Sequence, residues 1–123
     1  MKRLLLALLA SVALDAAACG VCIDDKIASC YDHALIARER ARGNQVAFFA
    51  IQGSLPQDEA TRAMLRRTLD STPGVLRGSA RFSVENAALS FAYDPRRGSA
   101  LGIGQKVERR LSPGLALALL RVI

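Results

Sequence analysis

Apolar and polar residues repeat with a helical period in the first part of the chain, and this predicts an N-terminal helix. From residue 22 to 42 there is no Pro or Gly, and apolar residues recur three or four positions apart. Asp24 and Asp25 lie at the start of this segment and three arginines lie near its end, as the helix dipole favours. Gly43 and Asn44 are a typical stop signal. The pattern therefore predicts one helix over residues 22–42.

The next segment predicts a strand, a helix and two further strands. Val46–Ile51 is a short unbroken apolar run, which is typical of a strand covered on both faces. Ser54 resembles the first residue of a capping box, so a helix is expected from there to about Asp70. Residues 76–84 and 87–93 alternate between apolar and polar positions, as two strands joined by a tight turn would.

The last segment completes a recognisable order of elements. Residues 99–111 predict a weaker helix and Leu115–Val122 a final strand. From residue 45 onward the order is β-α-β-β-α-β, so the predicted fold class is α+β, a ferredoxin-like βαββαβ sandwich with a four-stranded antiparallel sheet and an extra N-terminal helix. Two helices would cover one face of the sheet. We expect the N-terminal helix to cover part of the other face and to bury Ile23, Ile27 and Tyr31.

The first eighteen residues have the composition of an export signal. Lys2 and Arg3 precede eleven residues, Leu4–Leu14, that are all apolar or small, and Ala16-Ala17-Ala18 suits signal peptidase. Eleven residues are too few to span a bilayer as a helix, which takes about 20. Residues 1–18 are therefore predicted to be a cleaved signal peptide, and the protein to be periplasmic or secreted. An uncleaved N-terminal anchor is the alternative.

Cys19 raises a second alternative, a lipoprotein, because it directly follows the small residues. Ala16 stands where bacterial lipoproteins usually have Leu, which disfavours this interpretation. Contact with a membrane is therefore expected only if Cys19 is lipidated.

Composition and charge narrow the classes of function. With 123 residues the chain has room for one small domain, and its single His excludes a site that needs several imidazoles from one chain. The net charge is +6, but the basic residues are spread along the sequence without a concentrated stripe. Nucleic-acid binding is therefore not expected. No phosphate-binding glycine loop or nucleophile–His–acid set is present, so the protein is not expected to be an enzyme.

From Val46 to Val122 the chain resembles heavy-metal-associated domains, the ferredoxin-like modules of copper chaperones, metal-ATPase N-terminal repeats and periplasmic mercury-binding proteins. The matching pieces are a strand ending in Gly53, then Thr72-Pro73-Gly74-Val75, and Leu89–Pro95 with its Tyr-Asp-Pro ending. The resemblance implies a domain over 44–123. It also implies soft-metal binding by a Cys-x-x-Cys in the loop after the first strand, yet this loop contains no Cys, Met or His.

All three cysteines and the only histidine lie instead in the segment 19–43, predicted as a Cys-bearing N-terminal helix. They are Cys19, Cys22, Cys30 and His33, in the pattern C-x2-C-x7-C-x2-H. Two thiolates three residues apart can clamp a soft ion such as Cu(I) or Zn(II). On one helix the four side chains would share a stripe, but about 12 Å separates Cys22 from Cys30, so one ion could join both pairs only if the chain bends.

Other interpretations of these residues remain open. Cys30 can be a small buried apolar residue, His33 a solvated one, and Cys19 and Cys22 a disulfide in an oxidising compartment. Thiol–disulfide catalysis is disfavoured because Cys19 follows a leader and not a sheet strand.

The sequence thus predicts an exported soft-metal-binding or metal-handling protein, with Cu(I) ahead of Zn(II), that works with the metal ion and a metal transporter or other partner protein. The alternative is an exported interaction module or lipoprotein that kept the fold without the metal.

Overall fold

The computed structural model describes residues 23–123, and the elements follow the predicted order from residue 45 onward. They are α1 (residues 23–29), α2 (His33–Ala41), β1 (Gln45–Gln52), α3 (Glu59–Ser71), β2 (Arg81–Ser83), β3 (Ala88–Tyr93), α4 (Ala100–Arg110) and β4 (Ala116–Val122). Within these residues there is no helix that combines the length and the apolar character needed to cross a bilayer.

The four strands form one antiparallel sheet in the order β2-β3-β1-β4. β1 is central and pairs with β3, where Ala47 lies opposite Phe91, and with β4, where Ile51 lies opposite Leu117. This is the strand order of a ferredoxin-like sandwich. The α+β fold class predicted from the sequence is confirmed.

The larger core lies between the sheet and the helices α3 and α4. Phe49 of β1 stacks on Phe91 of β3 with 5.5 Å between ring centroids, and Leu65, Leu69 and Val107 reach them from the two helices. These five side chains are each at most 2% exposed. Burial of side chains of this size contributes about 1.5–3 kcal/mol each, so this layer supplies most of the apolar stabilisation.

α1 and α2 cover the opposite face of the sheet. Their buried side chains form a second cluster with the outward-facing residues of β1 and β3: Ile27, Cys30, Leu35, Ile36, Val46, Phe48, Ala88 and Ala92. Residues 46–51 are all buried as a consequence, so the unbroken apolar run is explained by a strand with helices on both sides. The N-terminal cover expected from the sequence is present.

The predicted single helix over 22–42 is wrong in one respect, because the chain leaves helical geometry at residues 30–32. Asp32 has extended backbone angles and its side chain accepts the backbone N–H of Leu35, so it caps a new helix. The burial of the three residues expected to face the sheet also differs from the prediction. Ile27 is 6% exposed as expected, but Ile23 is 38% and Tyr31 44% exposed.

Two other boundaries differ from the prediction. α3 is capped by Asp58, which accepts the backbone N–H of Thr61 at 2.8 Å, and not by Ser54. β2 is only three residues long, because the segment before it forms an irregular turn. In that turn the Ser79 hydroxyl accepts the backbone N–H of Ala92 at 3.0 Å and so replaces a strand hydrogen bond.

Candidate functional site

One end of the sheet, here called the loop end, gathers three connections. The β1–α3 loop (residues 53–58) follows Gln52, and the β2–β3 turn (residues 84–87) precedes β3. Ala50 lies opposite Ala88 in the ladder, which puts the loop and the turn at the same end. The third connection, between α4 and β4, arrives there because Gln52 is paired with Ala116.

The described part of α1 also begins at the loop end. The ammonium group of Lys26 donates hydrogen bonds to the carbonyl oxygens of Asn86 and Ala87 in the β2–β3 turn, the latter at 3.2 Å. Further along, the carbonyl of Cys30 accepts a hydrogen bond from the Ser90 hydroxyl in the middle of β3 at 3.2 Å. α1 therefore runs from the loop end across the sheet, and the described chain begins at that end.

Two of the predicted ligands, Cys19 and Cys22, lie outside the described residues. Cys22 is the residue before Ile23, where the description begins. Their placement as ligands stays a prediction.

Cys30 lies where the first helix ends, on the face that packs against the sheet. It is 4% exposed and belongs to the cluster beneath α1 and α2. Burial raises the pKa of the Cys30 thiol, and the nearby Ser29 hydroxyl, 3.7 Å from the sulfur, offsets only part of this effect. Because the thiolate is the form that binds metals, a buried thiol with a raised pKa is a poor ligand in this arrangement.

His33 is the first residue of α2 and is exposed. Its ring lies 6.1 Å from the ring of Tyr31, which in turn stacks on Phe48. Cys30 and His33 therefore lie on either side of a helix break and do not share the face of one continuous helix. Whether either residue binds a metal remains untested.

Asp32 fixes this break to the sheet. Its carboxylate accepts hydrogen bonds from the Arg81 guanidinium at 3.0 and 3.2 Å as well as the backbone N–H of Leu35. The Leu35 N–H and then the Arg81 guanidinium lower the pKa of Asp32. The ion pair joins the start of α2 to the edge strand β2.

In residues 23–123, no three His, Cys, Asp or Glu side chains are arranged to hold a metal ion. The β1–α3 loop has neither Cys nor His. It is tightly built, because Gly53 has a φ of +110° and packs against the carbonyl oxygen of Gly114, so that any side chain at position 53 would collide with the α4–β4 connection. A metal site at the loop end needs donors from elsewhere in the chain.

One comparison with a known structure supports the fold. The chain is similar to the crystal structure of a copper-binding domain from HMA7, a P-type ATPase, with a TM-score of 0.51 and 14% identity, over 63% of this chain and 96% of that one. A second similar structure is the solution structure of the yeast copper transporter domain CCC2A, determined in apo and Cu(I)-loaded states, with a TM-score of 0.47, 19% identity and the same coverage of both chains.

No protein-family model matches the sequence, and no curated protein matches it. At 14% identity the likeness to the HMA7 domain shows a shared fold. It confirms the resemblance in the arrangement of strands and helices.

Sequence reasoning missed Lys26, which ties α1 to the β2–β3 turn. Lys26 follows two aspartates at the polar start of the predicted helix, so it looks like an ordinary solvated residue. Its partners are backbone carbonyls 60 and 61 positions away. Because every residue has a backbone carbonyl, the sequence does not indicate which carbonyls Lys26 will contact, and only the fold brings residues 86 and 87 close to it.

Proposed function

We propose that this chain is an exported metal-handling protein that binds a soft metal ion through the thiolates of Cys19 and Cys22. Cu(I) is the proposed ion, ahead of Zn(II). Thiolate sulfur suits both ions, but structural zinc sites take four protein ligands, of which two thiolates supply only half, so a two-thiolate site favours Cu(I). The role is capture and transfer of the ion to a partner protein or transporter, without chemical turnover.

The observation that carries the proposal is the position of α1. Lys26 holds the beginning of α1 at the loop end of the sheet. The resemblance described above puts the metal-binding loop of heavy-metal-associated domains at the corresponding end, between the first strand and the first helix of the βαββαβ unit. Here the Cys-x-x-Cys precedes α1 in the sequence, so the donors would reach the same end of the fold from the opposite face of the sheet.

The proposal gives Cys30 a packing role. Cys30 lies seven positions after Ile23, which corresponds to about 10 Å along a helix. Its burial and raised pKa also disfavour the thiolate. The exposed His33 stays a predicted ligand, and a variant in which His33 is replaced should be included in the Cu(I) titrations described next.

The test is a Cu(I) titration of the exported, reduced protein against a coloured competitor chelator. We expect one Cu(I) per chain, loss of binding in Cys22→Ser and in Cys19→Ser, and unchanged binding in the matched control Cys30→Ala. Binding by a Cys19→Ser/Cys22→Ser variant that equals that of the original protein would overturn the proposal.

The intact mass of the exported protein tests whether the chain is exported with cleavage of its leader. A mass equal to residues 19–123 supports export with cleavage after Ala18, whereas a lipid adduct identifies the anchored form. A mass two hydrogens below that of the reduced chain, together with no Cu(I) binding after reduction, would identify the alternative, an interaction module with a Cys19–Cys22 disulfide.

A further inference from the structure

β4 forms one edge of the sheet, and its outer side is unpaired among the described strands. It pairs with β1 alone and contributes seven residues, Ala116–Val122. The opposite edge is β2, which has three residues and begins with the paired Arg81. Edge strands in soluble proteins are usually kept short or carry charges, because a long uncharged edge invites another strand to pair with it. β2 follows this rule along its whole length. In β4 the protecting features, Arg121 and the irregularity of the ladder beside it, lie only at the far end, so Ala116–Leu119 is left as an unprotected edge.

The composition of β4 favours pairing. Residues 116–120 are alanine and leucine only, and Arg121 is the one charged residue of the strand. The register of the β1–β4 ladder shifts only between Phe48 and Phe49, where Leu120 is the extra residue of β4, and this leaves Ala116–Leu119 as a regular segment.

Apolar surface remains on both faces of this edge. Leu117 and Leu119 pack against the core under α3 and α4, and Leu120 packs against the cluster under α1 and α2, but all three side chains are only half-buried. Val122, at the end of the strand, is 38% exposed. A strand added at this edge would extend both apolar layers at once.

We propose that β4 pairs antiparallel with β4 of a second copy of this chain, around a twofold axis at Ala118. In that register Leu117 lies opposite Leu119 of the partner copy, within the regular segment. Ala116 lies opposite Leu120, the bulged residue at the margin of the paired region. Every pair is apolar on both sides, and Arg121 falls outside the five paired positions, so no like charges meet. The strand is therefore complementary to itself, as a twofold interface requires, and the dimer has a continuous eight-stranded sheet.

The first test measures the mass of the full exported protein by sedimentation equilibrium, with reductant present so that disulfides do not contribute. We expect a dimer for the original chain and a monomer for Ala118→Lys, because side chains opposite each other in an antiparallel pair are only about 5 Å apart and two ammonium groups there repel. The matched control is Ala63→Lys, which adds the same charge at an exposed position of α3, and it should remain a dimer.

A second measurement keeps the proposal testable if Ala118→Lys does not fold. In a background without the three native cysteines, Ala118→Cys should form a covalent dimer on mild oxidation, whereas Ala63→Cys should not. An original chain that is monomeric at every concentration overturns the proposal, and so does a dimer that persists in a folded Ala118→Lys. Pairing of β4 only with a different protein would appear as the monomeric result.

Discussion

Replacement of Ile27 by Ala tests whether α1 is held on the sheet as the structure describes. Ile27 is 6% exposed and contacts the cluster formed with β1 and β3. Ile23, one helical turn earlier, is 38% exposed. The same change at both positions removes the same atoms from the same helix, so the two variants differ in burial and not in chemistry.

The expected loss follows from the buried atoms. Ile→Ala removes three carbon groups at about 0.8 kcal/mol each, and the cavity adds to this, so the free energy of unfolding should fall by about 2–4 kcal/mol in Ile27→Ala. Ile23→Ala should cost less than about 1 kcal/mol, because much of that side chain already contacts water and Ala is the better helix former.

Urea unfolding followed by far-UV circular dichroism measures both losses, and hydrogen exchange at the α1 amides shows where the effect falls. In Ile27→Ala we expect α1 to exchange faster while the amides of β1 stay protected, since the core under α3 and α4 is intact. Equal losses in the two variants, or unchanged exchange in α1, would contradict the packing of α1 described above.

The remaining predictions concern the core, the thiol and the helix break. Gly104→Ala should lower the free energy of unfolding by up to about 2 kcal/mol, because a Cβ there would lie 2.7 Å from the buried ring of Phe49 and overpacking costs about 1–3 kcal/mol against a helix gain of about 1 kcal/mol. Gly102→Ala, whose Cβ would lie 3.0 Å from the Ser99 hydroxyl and near no buried ring, is the comparison, and urea unfolding of both variants measures the difference. With the other two cysteines replaced by serine, Cys30 should react with iodoacetamide far more slowly in the native protein than in denaturant, and equal rates would refute its burial. The pKa of Asp32 is lowered on folding, so its contribution is complete above its unfolded pKa of about 3.9 and is lost as the pH falls through the folded pKa. Asp32→Asn should therefore flatten the decline of Tm below pH 4, and a decline as steep as in the original protein would exclude this group as its source.

The sheet domain was predictable because its signals are local. An unbroken apolar run identifies β1 as a strand covered on both faces, and Val46–Ile51 are buried in the structure. The alternation in 87–93 likewise corresponds to β3 at Ala88–Tyr93. The strand prediction was wrong for residues 76–80, because their conformation depends on a tertiary partner. There the Ser79 hydroxyl makes hydrogen bonds, to the Ala92 N–H and the Leu76 carbonyl, in place of those of a regular strand.

The N-terminal segment shows the opposite case. Residues 22–42 contain only helix-tolerant residues, so the composition gives no reason to divide them. The helix is broken at Asp32 because its carboxylate accepts hydrogen bonds from both the Leu35 N–H and the Arg81 guanidinium of β2. The second partner is 49 positions away. The sequence supplies the candidate donor residues, whose role as ligands stays a prediction, whereas the helix break between Cys30 and His33 depends on that distant contact.

The cover formed by α1 and α2 also has a consequence for the order of assembly. Lys26 meets its partner 60 residues later in the chain, and the same separation joins Cys30 to Ser90. During translation, α1 and α2 are therefore synthesised first, and β3, on which they pack, is synthesised much later. Contacts of such long range slow folding, and until β3 emerges, the aliphatic side of α1 is available to chaperones or to other nascent chains.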